Sequence, residues 1–243
     1  MKEKMYTEII DIESTHILIK TDIAKNNIQK LIIEQRNIIK NEIKRNPKFT
    51  QYEPIDLIHD KGILELMTFA GKISNTGPMS SVAGTISQIC LNYLNNLGTK
   101  NSIVENGGDI AFKTNSPIVI GLYAGNSPFS DNFGFKIKAK PHSYGICTSS
   151  GTVGPSKSFG KSDATIVFTK EASIADSLAT SIGNYANGEN NSEIVHNALS
   201  KAEEFKEYYD GVIVIKGENF GKTGHIPPIV ETDKKLSEYY DIE

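Results

Sequence analysis

The sequence predicts an α+β protein, with mixed or antiparallel sheets flanked by helices. Three observations lead there. Short β-branched runs with turn residues between them crowd the stretch 102–147, which is how strands joined by tight connections read. A shorter pair of such runs opens the chain, at 6–20. Set apart from them, at 23–45, 60–72, 77–97, 171–185 and 192–208, apolar residues recur every three or four positions, and that period is helical. No linker splits the 243 residues, so a single domain over 1–243 is expected.

In chain order, residues 9–12 and 16–20 read as the arms of a hairpin turning at 13–15. Thr21 and Asp22 supply a helix N-cap signal, because short side-chain oxygens accept the free N–H groups of a first turn. The helix over 23–45 turns Ile28, Leu31, Ile32, Ile39 and Ile43 inward, leaves Arg36 and the lysines in solvent, and stops at Pro47. Phe49 is expected to plug the core. A helix over 60–72 buries Leu64, Met67 and Ala70. Gly-Pro at 77–78 marks the next helix start, and from there to 97 there is no charged residue. That means burial on most sides or a face turned to a ligand. Free N–H groups near Ser80 and Ser81 would suit a phosphate.

Strands follow at 102–105, 110–112, 118–123, 134–138 and 143–147, with two more at 164–169 and 211–216. Between the first two, the run NGGD at 106–109 is a tight turn. It has two readings: a plain hairpin, or a place where two glycines let a flat ligand approach the backbone beside Asn106 and Asp109. The tail at 221–230 reads as irregular, and the acidic end as frayed.

The stretch 145–184 organises the candidate chemistry. Its loop, 149–161, is almost entirely Ser, Gly, Thr, Pro and Lys, residues that bend tightly and aim N–H groups at an anion. The helix after it carries Ser173, Asp176, Ser177, Thr180, Ser181 and Asn184 on one side, with no Lys or Glu among them. Asp176 and Thr180 stand one turn apart, and a carboxylate and hydroxyl so placed suit a hard cation such as Mg²⁺. The competing reading is a helix packed closely on a sheet, its small hydroxyls bonding to backbone. Lys157 and Lys161 would neutralise phosphate or simply be solvated, and Asp163 would serve as a base, as an acidic ligand or as a strand cap.

Composition narrows the partners. A formal net charge of −3 gives no case for nucleic acid or an anionic membrane. Cys90 and Cys147 are far apart and form no CxxC pair, which speaks against a zinc site or disulfide framework. The N-terminal residues lack the apolar core of a signal peptide, and a cytoplasmic location is expected. No G-x-S-x-G elbow accompanies His142.

Three motifs taken together carry a family resemblance. ENGGDI at 105–110, GICTSS at 145–150 and ADSLAT at 175–180 come in the order and spacing of the ApbE-like proteins. The chain most resembles a short branch of that superfamily whose function is unassigned, with signatures at 77–84, 105–110 and 145–164. The resemblance implies a T-fold-like arrangement of sheets flanked by helices. The best-known members are Mg²⁺-dependent transferases that take FMN from FAD to a threonine of a partner protein. Matched residue by residue, Asp176 and Thr180 would hold the metal. Gly107, Gly108 and Asp109 match the turn that lines the flavin cavity. Apart from the resemblance, the residues themselves add Asn106, Thr148, Ser149, Ser150, Gly151 and Thr152 to the expected pocket, with Lys161 and Asp163 as catalytic candidates. The His-rich segment those transferases carry after the TSG strand is absent between 143 and 195. The expected ligand is therefore a phosphorylated, flavin- or nucleotide-like small molecule with Mg²⁺, FAD and FMN being the candidates. A non-catalytic carrier role, a transferase or hydrolase role and a homo-oligomeric state all stay open.

Overall fold

The chain opens on the expected hairpin, in which β1 (Tyr6–Ile12) pairs antiparallel with β2 (Thr15–Thr21) and Ile12 lies opposite Thr15. The computed structural model describes residues 4–153 and 158–232; Lys157 lies outside them. Helix α1 (Ile28–Arg45) begins later than the sequence suggests, because Thr21 and Asp22 are used elsewhere. The Asp22 carboxylate accepts the backbone N–H groups of Lys100 (3.0 Å) and Asn101 (3.1 Å), and Thr21 Oγ1 bonds Ser102 Oγ at 2.7 Å. Both side chains therefore fix the entry to strand β3 (Ser102–Asn106). Arg36 is not solvated as expected. It is mostly buried and donates to Thr15 and to Glu13 Oε2 (2.6 Å), tying α1 to the first turn.

Helix α2 (Ile63–Ser74) is followed by a 3-10 turn (Pro78–Ser81) that leads into α3 (Val82–Asn96). Phe49 and Met67 are fully buried beneath them, as their apolar spacing demands. After β3 the chain gives β4 (Asp109–Thr114), β5 (Ile118–Gly121), β6 (Phe133–Ile137), β7 (Lys140–Ser149) and β8 (Ala164–Thr169). Then come α4 (Ala172–Asn184), α5 (Asn191–Ala202) and β9 (Gly211–Lys216). The last two described strands, β10 (Asn219–Gly224) and β11 (Ile229–Glu231), occupy the tail expected to be irregular. Gly221 hides β10 from sequence reading, since glycine is a poor strand former. It is there because a Cβ would sit 2.5 Å from Val195 Cγ1 on α5.

All strand pairs among the described residues are antiparallel. One sheet has eight strands, in the order β1-β2-β3-β4-β7-β8-β9-β10, and the other has three, β11-β6-β5. Alternation along the central strands divides the core in two. Ala111, Cys147, Val167, Val212 and Val214 face the helices. Ile110, Phe112, Ile146, Ile166, Phe168, Ile213 and Ile215 face the small sheet, meeting Ile120, Leu122, Phe135 and Ile137. The result is three layers: helices, large sheet, small sheet. Among the described residues, no helix is long and apolar enough to cross a membrane.

Candidate functional site

The β3–β4 connection is a two-residue turn, Gly107 at φ 62° and Gly108 at φ 99°, closed by the pair Asn106–Asp109. Positive φ at both central positions is what a tight hairpin of right-handed twist needs, and glycine adopts it without strain. A Cβ on either glycine would meet nothing within 4 Å, so the turn borders open space. The hairpin reading of NGGD holds, and the hairpin tip also edges a cavity of about 320 Å³.

That cavity lies against the inner faces of both sheets and reaches α4. Its apolar wall includes Ile110, Ile120, Leu122, Phe135, Ile146 and Ile166. Its polar side holds Thr148, Ser149, Ser150, Asp163, Asp109, Asp176 and Thr180 together with Gly107 and Gly108. Lys20, Glu105 and the wall strand β5 with Tyr123 also line it. Sequence reasoning did not single these out, although the alternation of Ile118, Ile120 and Leu122 marks a strand with one buried face.

Helix α4 uses part of its polar side for packing and turns part of it to the cavity. Ser177 Oγ donates to Ala70 O (3.2 Å) and Ser181 Oγ to Ser74 O (2.7 Å), so these hydroxyls fasten α4 to α2. Asp176 and Thr180 line the cavity. Asp176 Oδ2 accepts the Gly84 N–H at 2.8 Å. Gly84 permits this approach, since a Cβ there would lie 2.4 Å from Ala172 O and 2.7 Å from Asp176 Cβ. Of the N–H groups read as suited to a phosphate, that of Ser80 donates to Gly77 O (3.1 Å), and further on the Gly84 N–H is met by the Asp176 carboxylate. Asn106 does not line the cavity. Its amide donates to Ala83 O at 3.3 Å and so supports the same backbone segment from behind.

Three other expected residues are placed elsewhere. Gly151 donates its N–H to Ser162 O (2.9 Å), holding the loop's base. Thr152 Oγ1 donates to Asp163 Oδ1 (3.0 Å) rather than into the cavity. Lys161 Nζ reaches Gly188 O (3.4 Å), because its own N–H is anchored on Ala186 O beyond the end of α4. Asp163 lines the cavity, but its carboxylate is fully engaged. Oδ1 accepts from Lys216 Nζ (2.9 Å) as well as Thr152, and Oδ2 accepts the Gly217 N–H (2.7 Å). Burial pushes its pKa up, yet the Gly217, Lys216 and Thr152 bonds outweigh that and hold it below the usual carboxylate range. A carboxylate so stabilised is a weak base, and its position ties the rim of the cavity to the β9–β10 turn. His142 is exposed, and both cysteines are buried. Burial, with the Asp109 and Asp176 charges behind it, pushes the Cys147 thiol well up, which removes it as a nucleophile.

The remaining pair is electrostatically unusual. Burial, and next the Asp176 charge, raise Asp109 well above the usual carboxylate range. Burial pushes Asp176 up to about 7 despite the Gly84 and Ala83 N–H bonds. Asp109 Oδ1 is buried and has no hydrogen-bond partner among the described residues. Such an atom costs on the order of 1–3 kcal/mol or more unless something meets it. Two facing buried carboxylates, one oxygen orphaned, with a threonine hydroxyl nearby, fit a hard cation. Among the described residues there is no group of three or more His, Cys, Asp or Glu side chains placed to hold a metal. An ion here would complete its shell with water and ligand oxygens, as Mg²⁺ commonly does.

A three-layer α+β fold with this cleft defines an ApbE-type protein. Among solved structures it is similar to the flavinyl transferase ApbE of Pseudomonas stutzeri in its apo form (TM-score 0.57, 13% identity, 90% of this chain and 94% of that one). It is equally similar to the flavin transferase ApbE of Vibrio cholerae (TM-score 0.57, 14% identity, 90% and 96%). Likeness at these identities speaks for the fold. The family model described as "AbpE bacteria" matches residues 8–212, and the chain belongs to that family. Its relatives include the UPF0280 protein of Methanosphaera stadtmanae, 59% identical over 244 aligned positions covering 100% of this chain and 99% of the relative. The UPF0280 protein of Methanothermobacter thermautotrophicus is 45% identical over 94% of this chain and 89% of its own length.

Proposed function

We propose that this chain binds a phosphorylated, flavin- or nucleotide-like ligand together with a divalent cation in the cavity between the sheets. The observation that carries this is the join of an apolar slot to a buried carboxylate end in one cavity of about 320 Å³. That volume is at the small end of ligand sites, which run from about 300 to 1,000 Å³. It suits one flat ring system, so the rest of a larger ligand would extend past the rim. The wall of Ile110, Ile120, Leu122, Phe135, Ile146 and Ile166 would hold the ring. The bare turn at Gly107 and Gly108 would let it approach the backbone.

The anionic part needs help. Glu105, Asp109, Asp163 and Asp176 line the cavity against one lining lysine, Lys20. A phosphate entering alone would meet carboxylates of like charge. A cation at Asp176 and Thr180 would offset part of that charge where the phosphate enters, and when bound it would supply Lewis-acid polarisation of a phosphoryl oxygen. The protein's own residues hold Asp176 in place through Gly84, fix the rim through Asp163, and present the Thr148, Ser149 and Ser150 oxygens.

Two roles are compatible with such binding: a Mg²⁺-dependent transferase or hydrolase acting on an FAD-like phosphoanhydride, or a carrier that holds a cofactor without turnover. The carrier reading draws support from Asp163 and Lys161, since the first is fully bonded and the second reaches Gly188. Calorimetry with FMN, FAD and riboflavin, each with Mg²⁺ or with EDTA, tests the shared claim. FMN and FAD should bind at least tenfold more tightly with Mg²⁺, while riboflavin should be indifferent to it. FMN affinity unchanged by EDTA would refute the proposal. Chromatographic analysis of FAD after incubation separates the two roles, with cleavage favouring the enzyme and intact FAD the carrier.

A further inference from the structure

Sequence reasoning assigned Asp109 to the wall of the cofactor cavity and the metal to α4 alone. The geometry points to a different division: Asp109 is itself a ligand of the cation, so the ion bridges the β3–β4 turn to α4 and binds before any nucleotide. This inference deepens the proposed function and rests on its cation site.

The first support is positional. Asp109 is the first residue of β4 and shares the helix-facing side of that strand with Ala111. It therefore points toward the layer that contains Asp176, not toward the apolar wall formed by Ile110 on the opposite face. Both carboxylates line the same cavity. The second support is the state of the atom. Asp109 is 8% exposed, and its Oδ1 has no partner among the described residues. Neighbouring buried acceptors are met: Ser87 Oγ donates to Asp109 O at 2.8 Å, and Gly84 N–H donates to Asp176 Oδ2 at 2.8 Å. A fold that satisfies the surrounding acceptors but leaves one carboxylate oxygen bare beside a second carboxylate lacks a positive group at that point. Helices α3 and α4 contain no lysine or arginine, Lys140 of β7 lies over the Tyr144 ring, and the one lysine among the described residues that lines the cavity, Lys20, belongs to β2.

The third support is chemical. Two carboxylates and a hydroxyl make a hard, oxygen-only donor set, suited to Mg²⁺ or Mn²⁺ with waters retained, and unsuited to zinc, which takes nitrogen and sulfur donors. The consequence is mechanical. An ion held by Asp109 and Asp176 together would pin the Gly107–Gly108 turn against α4. It would thereby set the width of the slot before a ring enters it.

The test uses Mn²⁺ and the whole chain without any nucleotide. Free Mn²⁺ is titrated by electron paramagnetic resonance against the parent, Asp109→Asn and Asp176→Asn, with Asp109→Ser in reserve should the Asn form not fold. Each variant should lose at least tenfold in Mn²⁺ affinity. Amide exchange at 107–109 should slow on adding Mn²⁺ in the parent and not in either variant. With chelator present, Asp109→Asn should melt at or above the parent's temperature, because Oδ1 has no hydrogen-bond partner for the substitution to remove. Mn²⁺ affinity retained in Asp109→Asn but lost in Asp176→Asn would overturn this inference and leave the proposed function standing. A parent that takes up Mn²⁺ only when FMN is present would also overturn it, while supporting a cation site completed by the ligand.

Discussion

Replacing Asp176 with asparagine gives the sharpest test of the buried carboxyl pair. Burial pushes Asp176 up to about 7 in the metal-free fold, whereas an unfolded aspartate ionises near pH 4. Between those values the folded chain holds more protons than the unfolded one. Stability therefore falls as pH rises through the window, and Asp109, raised in the same direction by burial and by Asp176, adds to the fall. At about 1.4 kcal/mol for each pH unit, the loss between pH 5 and pH 8 is about 3 kcal/mol. Groups with depressed values, such as Asp163 and Glu13, act the other way, and only at more acidic pH. Asparagine keeps an oxygen for the Gly84 N–H, which lies 2.8 Å from Asp176 Oδ2, but cannot ionise. Urea unfolding in EDTA at pH 5, 6, 7 and 8 reads this directly. The parent should weaken across the series, and Asp176→Asn should lose the part of that slope due to Asp176, keep the part due to Asp109, and exceed the parent at pH 8. Added Mg²⁺ should restore the parent at pH 8 and leave the variant unmoved. A parent that holds level or strengthens from pH 5 to pH 8, or a variant with the parent's slope, would refute the reasoning.

Two further substitutions separate the site from its supports. Gly84→Ala should destabilise the fold by about 1–3 kcal/mol, because the new methyl would lie 2.4 Å from Ala172 O; a melting temperature within a degree of the parent would contradict the close α3–α4 approach. Lys161→Ala should leave Mg²⁺-dependent FMN affinity within about twofold, below a measurable 1 kcal/mol, since Lys161 Nζ reaches Gly188 O. A tenfold loss in the same calorimetric titration would return Lys161 to the site.

Much of this architecture was legible in the residues. β8 and β9 fall where their β-branched runs put them, and Phe49, Met67 and Cys90 are buried as their spacing implies. The motif-bearing residues Gly107, Gly108, Asp109, Thr148, Ser149, Ser150, Asp176 and Thr180 converge on one cavity. What failed was local chemistry decided by distant partners. Thr21 and Asp22 look like a helix cap, yet residues 99–102, far along the chain, claim them. Arg36 looks solvated, yet the first turn folds back onto it. Ser177 and Ser181 look like cavity lining, yet α2 offers them carbonyls. Lys161 and Thr152 sit in a loop whose composition suggests a phosphate cradle, but backbone anchors at Ala186 and Ser162 set its path. Short polar side chains bond whichever neighbour tertiary packing brings, and sequence spacing does not encode that neighbour.

The central claim is that the Asp109 and Asp176 carboxylates hold a divalent cation at the end of an apolar ligand slot. Crystals grown with FMN and Mn²⁺, with data collected at the manganese absorption edge, test it most directly. An anomalous peak bounded by Asp109, Asp176 and Thr180, with flavin density against Ile120 and Phe135, is the predicted result. Flavin in the slot with no anomalous peak between the two carboxylates, or manganese bound only at surface carboxylates, would contradict it.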